Sequence, residues 1–273
     1  MIPAPFDYVR AASAEEALAA LAEHGDEAKV LAGGHSLLPL MKLRFASPAV
    51  LVDVGRLDDL SYVSDAGDHI AVGALTRHRD LEVSDLLADQ APLLRHAASQ
   101  VGDPQVRHRG TIGGSLAHGD PASDLPAVLL ALGGSLVARG PEGEREIAAT
   151  DFFTGFLETA LAPEELLCEV RIPKVGDAGW SFQKFNRRAQ DWAIVGVAAV
   201  TDGSPGVGLV NMDSTPIRAT AVEEALAGGA SAADAAELAA EGLDPPADLN
   251  ASADFRRHLA RVLVRRALEE ATA

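Results

Sequence analysis

Apolar positions recur along the first half of the chain at two alternating spacings. Ser13-Ala14-Glu15-Glu16 reads as a capping box, with the Ser13 hydroxyl taking an amide of the first turn and Glu16 reaching back. Leu18, Leu21 and Ala22 follow at helical spacing until Gly25 stops the run. Short apolar runs at 29–32, 50–54 and 69–74 predict buried strands, and Thr76 predicts the N-cap of the next helix. Leu93, Leu94 and Ala97 place one face on a helix over 91–100, and the apolar run 125–132 predicts another helix. A strand over 166–172 is closed by Pro173.

The texture changes beyond 173–179, a Pro/Gly-rich stretch that reads as a linker. Three strands follow in succession, over 180–187, 193–201 and 206–212. Helices then dominate, over 219–227, 232–240 and 254–271, with Pro245-Pro246 separating the last two. Strands followed by helices indicate an α+β class. The pattern divides the chain into an N-terminal unit over 1–176, itself two α/β halves at about 1–54 and 55–176, and a C-terminal unit over 177–273. The latter is expected to be a three-stranded antiparallel sheet backed by helices.

Composition narrows the function classes. The 273 residues are 48% hydrophobic, enough for a substantial core. Lys and Arg number 23 against 40 Asp and Glu, a net charge of −17, which argues against nucleic acid and anionic membrane surfaces as partners. No run of about 18 apolar residues occurs, and the opening Met1-Ile2-Pro3-Ala4-Pro5 lacks the basic and apolar regions of a secretory leader, so a soluble cytoplasmic protein is expected. The single cysteine, Cys168, lies in an apolar strand; alone it supplies neither an internal disulfide nor the ligands of an iron–sulfur cluster. The eight histidines form no HExxH pattern or close helical pair, and no metal site is expected.

Two glycine-rich segments carry the candidate chemistry. The first is Leu31-Ala32-Gly33-Gly34-His35-Ser36-Leu37; the second is Thr111-Ile112-Gly113-Gly114-Ser115, continued by a polar stretch to Asp124. Glycine admits close approach and positive φ, so amides of Gly34, His35 and Ser36 can converge on a phosphate with the Ser36 hydroxyl beside them. Neither segment is a GxGxxG fingerprint or a P-loop. Each alone is equally readable as a structural turn, and Asp124 as a helix N-cap before Leu125-Pro126. Two together suggest one ligand with two phosphates and an apolar body, a description that a flavin dinucleotide meets. On that reading a bulky residue at Gly33 or Gly114 abolishes retention of the ligand.

Longer phrases carry a resemblance. Ala32-Gly33-Gly34-His35-Ser36-Leu37-Leu38-Pro39-Leu40-Met41-Lys42-Leu43-Arg44, Asp103-Pro104-Gln105-Val106-Arg107, Gly110-Thr111-Ile112-Gly113-Gly114 and Gly119-Asp120-Pro121 are similar to those of the FAD-binding medium subunits of molybdenum hydroxylases, the xanthine and carbon monoxide dehydrogenase family, and most of all to the carbon monoxide dehydrogenase branch. The opening residues 2–8 and the late 255–266 match as well, so the resemblance spans essentially the whole chain.

The resemblance implies a PCMH-type (vanillyl-alcohol-oxidase-like) FAD-binding domain, with FAD held non-covalently although His35 stands in a Gly-Gly-His segment. Val30, Leu31, Ala32, Gly33, Gly34, His35, Ser36 and Leu37 would wrap the pyrophosphate. Val101 and Gly102 would lie along the cofactor. Thr111, Gly114, Ser115 and Ala117, with His118 beside them, would form a second phosphate and ribose contact. Asp124 would hold the adenosine side, Leu167 the adenine or ribityl region, and Lys184 and Trp192 the flavin, with Asp191 near it. No catalytic residue is implied. Two positions depart from the family: Ser115 stands where asparagine is usual, and Trp192 where tyrosine often stands near the ring. The implied function is electron transfer from 2Fe–2S clusters in a small partner subunit, through FAD, to a terminal acceptor. The molybdopterin would reside in a large partner subunit, in a dimer of heterotrimers. The rival readings are a stand-alone FAD-dependent oxidase of a small organic substrate and a scaffold that has lost FAD.

Overall fold

A computed structural model describes residues 2–201 and 204–273. Strands Asp7–Arg10, Val50–Asp53 and Ala28–Leu31 form an all-parallel sheet in that spatial order. The helix Ala14–His24 connects the first and second of these in the chain. Its capping box forms: Glu16 N donates to Ser13 Oγ at 3.2 Å, and Ala12 N donates to the Glu16 carboxylate at 2.8 Å. Gly25, at φ +51°, ends it. The buried face is Ala14, Ala17, Ala20 and Leu21, with Leu18 partly buried beside it; of the expected Leu18, Leu21 and Ala22, only Ala22 lies outside it. A row of alanines lets the helix lie close to the sheet, and this rotates Ala22 to solvent.

The second unit centres on a five-stranded antiparallel sheet in the order Val63–Asp65, His69–Gly73, Leu166–Pro173, Ser135–Gly140, Gly143–Ala148. Thr76 does not cap the following helix. Its hydroxyl accepts from Tyr62 N at 3.0 Å and donates to Tyr62 O at 2.8 Å, and the helix His78–Val83 begins after Arg77. The register shifts between Leu167 and Glu169, which leaves Cys168 as a bulge residue, buried, with its thiol pushed up to about 11 by desolvation. The helix Asp124–Leu132 is buried on every side, packed between the helix Pro92–Ser99 and the C-terminal sheet.

That C-terminal sheet has four strands, not three: Gly179–Phe185, Val195–Thr201, Gly206–Val210 and Ile217–Arg218, all antiparallel. The fourth is two residues long after Pro216 and gives no periodic signal. It is held by Ala219 N to Val207 O at 2.8 Å and by an Arg218–Glu223 pair at 2.9 Å. Helices Thr220–Ala227, Ala232–Ala236 and Ala253–Ala271 follow, the second four residues shorter than its alanine run suggests. Val197, Ala199 and Leu209 face these helices, whereas Phe182, Ala198 and Val200 join the core around the helix Pro92–Ser99. The sheet is therefore buried on both faces. The expected division at 176/177 falls in the loop between strands Leu166–Pro173 and Gly179–Phe185. Among the described residues no helix is long and apolar enough to cross a membrane.

Candidate functional site

The strand Ala28–Leu31 runs into the first glycine segment, which turns at Gly34 (φ +78°) into the helix Leu37–Leu43. The turn leaves main-chain donors free. The N–H groups of Gly33, Gly34, His35, Ser36 and Leu37 have no hydrogen-bond partner among the described residues, and the first bond back into the turn is Leu38 N to Gly34 O at 3.1 Å. Five consecutive unspent amides on one wall of a cavity form an anion-binding surface.

The second glycine segment stands directly against the first. A Cβ added at Gly33 would overlap the Arg109 carbonyl and come within 2.9 Å of Gly110 Cα. Gly33 is therefore required by contact between two backbones, not by positive φ. The second segment proves to be the start of the helix Ile112–His118 rather than an open turn. Thr111 caps it, taking Gly114 N on its hydroxyl at 3.1 Å, while Gly113 N bonds to Ala74 O at 2.8 Å and Ser115 N to Thr111 O at 3.0 Å. The amides of Gly114 and Ser115 are thus already engaged, and what this segment offers the cavity is the hydroxyls of Thr111 and Ser115.

Gly102 sits at φ +51° beside Val101. Arg107 fixes this pair by donating to Val101 O at 3.2 Å and Gly102 O at 3.3 Å, with its Nε on Glu82 at 3.0 Å. Across the cavity Lys184 Nζ bonds to Asp124 Oδ2 at 2.6 Å and to Gln100 O at 3.0 Å. Ser123 is the N-cap of the buried helix and Asp124 its first residue, so Asp124 is not the cap. Burial raises the Asp124 carboxyl above its ordinary range while the Lys184 ammonium opposes the rise, and Asp124 Oδ1 has no partner among the described residues. Lys184 and Asp124, which the resemblance assigns to the flavin and the adenosine side respectively, are in direct contact here.

The residues that the resemblance names line one cavity of about 820 Å³. Val30, Leu31, Ala32, Gly33, Gly34, His35, Ser36, Leu37, Val101, Gly102, Thr111, Gly114, Ser115, Ala117, His118, Asp124, Leu167, Lys184 and Trp192 all reach it. Asp191 lines it too, and Trp192 is 59% exposed at its edge. Other lining residues had no sequence signal, and two groups of these shape the site. One is the hairpin joining Phe153–Gly155 to Glu158–Thr159, which supplies Thr154 and Leu157. The other is His78, which lies beneath Gly110, its pKa lowered to about 4 by burial and by the charges of His35, Arg107 and Arg77. Neither is marked by a motif, because each reaches the cavity through chain-distant packing. Among the described residues no cluster of three or more His, Cys, Asp or Glu side chains is arranged to hold a metal ion.

Comparison with known proteins agrees with this architecture. Residues 4–175 match the family model of the FAD binding domain in molybdopterin dehydrogenase, and residues 180–271 match that of the CO dehydrogenase flavoprotein C-terminal domain. The chain is 39% identical to the carbon monoxide dehydrogenase medium chain of Hydrogenophaga pseudoflava, over 100% of this chain and 99% of that one. It is 40% identical to the 6-hydroxypseudooxynicotine dehydrogenase complex subunit alpha of Paenarthrobacter nicotinovorans, over 99% of this chain and 96% of that one. It superimposes with a TM-score of 0.96 on a chain of the Hydrogenophaga pseudoflava carbon monoxide dehydrogenase that lacks the Mo-pyranopterin moiety of the molybdenum cofactor, at 41% identity and covering 100% of this chain and 99% of that chain. The chain belongs to the FAD-binding medium subunits of the molybdopterin dehydrogenases. Within that class it is a flavoprotein subunit of a molybdenum-containing oxidoreductase like carbon monoxide dehydrogenase.

Proposed function

We propose that the chain holds one FAD non-covalently along the cavity and works as the electron-carrying subunit between a metal-bearing partner and a terminal acceptor. The observation that carries this reading is the run of five unspent amides from Gly33 to Leu37. A diphosphate accepts such donors without competition from the protein's own carbonyls. The hydroxyls of Thr111 and Ser115 add donors from the adjoining wall. The serine is shorter than the family's usual asparagine, so its bond to the ligand would be longer or bridged by water.

The apolar body of the ligand would lie against Val101, Gly102 and Leu167. We place Asp124, Lys184 and Trp192 together at the ring end, because Lys184 and Trp192 come from one strand and its adjoining loop, and Lys184 holds Asp124. The unpartnered Asp124 Oδ1 is an acceptor for a donor on the ligand. When bound, FAD supplies electron exchange between one-electron carriers, expected in a 2Fe–2S partner subunit, and the terminal acceptor. This chain's residues bind and orient, and none is assigned an acid–base role.

Substrate oxidation would fall to a large molybdenum-bearing subunit; the medium-chain name of the relative supports separate small and large partners, and the family resemblance adds their assembly as a dimer of heterotrimers. The substrate is not encoded in this subunit, since relatives at 39% and 40% identity carry the names of enzymes for different substrates.

Absorbance of the purified full chain tests the reading. Flavin bands are expected, with the yellow colour moving to the supernatant on acid precipitation. A colourless chain that ignores added FAD rejects the site, and a yellow pellet rejects non-covalent attachment. Co-purification with iron and molybdenum in stoichiometric amounts tests the partners.

A further inference from the structure

We propose that Arg77 is a positioning residue for the diphosphate cradle: its guanidinium fork clamps together the two backbones against which the first glycine segment is packed. The inference rests on the FAD reading above and extends it to a residue that does not itself line the cavity.

Arg77 donates from Nη1 to Arg109 O at 2.5 Å and from Nη2 to Gly55 O at 3.3 Å. Each acceptor adjoins the first glycine segment from a different side. Arg109 O is the atom that a Gly33 Cβ would overlap, and a Cβ at Gly55 would lie 3.2 Å from Ala32 O. The main chain of Arg77 is committed in the same direction. It forms an antiparallel bridge with Thr111, flanked by His78 N to Gly110 O and Ile112 N to Thr76 O, both at 3.0 Å. One residue thus ties together the end of the parallel sheet, the approach to the second glycine segment and the cap of its helix.

The side chain has no carboxylate within ion-pair distance among the described residues, although 40 acidic residues are present in the chain. A half-buried guanidinium that spends its donors on two carbonyls is fixing backbone geometry rather than balancing a neighbouring charge. The fork geometry is the active property. An ammonium is a point donor on a flexible stem and cannot span both carbonyls in a fixed arrangement. The consequence falls on the amides of Gly33 and Gly34, whose direction depends on where the Arg109 carbonyl stands.

The test is FAD affinity of the full chain, measured by flavin fluorescence quenching, with visible circular dichroism of the bound flavin as a second readout. Arg77→Lys and Arg77→Ala are both expected to raise Kd about tenfold or more, as loss of charged hydrogen bonds implies, and to alter the flavin dichroism. Rescue by Arg77→Lys would overturn the clamp, because charge without the fork would then suffice.

Gly33→Ala supplies a second arm. In the native background it should weaken FAD strongly. In the Arg77→Ala background, where the Arg109 carbonyl is free to yield, it should add less than about threefold. Independent, multiplying effects would overturn the proposal, as would native affinity in both Arg77 variants. Failure of the native chain to bind FAD would instead overturn the reading of the site itself.

Discussion

Lys184 and Asp124 meet at 2.6 Å, with side chains only 8% and 6% exposed, and so join the C-terminal sheet to the first turn of the central buried helix. The pair is worth most as a unit. Removing one member leaves a charge in a low-dielectric site, which costs about 3–5 kcal/mol, whereas replacing both by apolar groups of similar volume is close to neutral. Lys184→Met is therefore expected to destabilise the FAD-free chain by about that amount, and Lys184→Met with Asp124→Leu to recover to within about 1 kcal/mol of native. Urea unfolding of the three proteins checks this; a double variant as unstable as the single would show that the pair contributes net attraction.

His78 makes the chain sensitive to acid. Its folded pKa is about 4 against an ordinary value of 6.5, because burial and neighbouring positive charge disfavour the imidazolium. Between those values the unfolded chain binds the proton and the folded chain does not, so stability falls as pH drops from 7 toward 4. For one such group the loss between pH 7 and pH 5 is about 2 kcal/mol. Asp124 acts in the opposite sense, since its raised pKa lets the folded state take up a proton first. Comparing native with His78→Gln in the FAD-free chain isolates the histidine, and the variant should lose about 2 kcal/mol less than native over that range.

The two glycine segments, which looked equivalent in sequence, predict different outcomes when a methyl is added. At Gly33 the new atom meets main chain that cannot withdraw. At Gly114 it meets only the Thr111 hydroxyl, at 2.8 Å, with the Ala32 methyl at 4.0 Å. Rotation of Thr111 relieves that contact at the expense of an N-cap bond, so Gly114→Ala should cost about 1 kcal/mol and keep FAD. Thermal unfolding and flavin content of Gly114→Ala measure both. Complete loss of flavin in this variant would restore a direct ligand role to Gly114.

This asymmetry marks the limit of what was legible along the chain. Residues whose partners lie within a few positions were readable: the Ser13–Glu16 capping box, the strand entering the first glycine segment, and the long helix near the end of the chain all reflect local periodicity and capping. Thr111 showed only the Gly-Gly after it, which masked a helix start. The strands Ser135–Gly140 and Gly143–Ala148 were missed because the second is almost wholly exposed and carries no apolar alternation. Arg77, His78 and Arg107 shape the site through carbonyls and packing 20 or more positions away or on non-periodic turns, and spacing holds no trace of such contacts.

Trp192 stands at the rim of the cavity, where the proposed binding of FAD and the proposed exit of its electrons can be tested apart. It is 59% exposed and lines both the main cavity and a second one of about 520 Å³ that also takes in Asp191, Phe156 and Arg256. An exposed side chain with no hydrogen bond in the described structure contributes little to folding, so Trp192→Tyr should change stability by no more than about 0.5 kcal/mol. Its position at the rim motivates a test of access: tyrosine there removes bulk and adds a hydroxyl at the cavity edge. Stopped-flow reoxidation of the photoreduced FAD-loaded chain by a soluble acceptor should therefore change by about threefold, a barrier difference of about 0.65 kcal/mol, while FAD affinity stays close to native. Unchanged reoxidation with every acceptor tried would remove Trp192 from the exit route and leave it a surface residue.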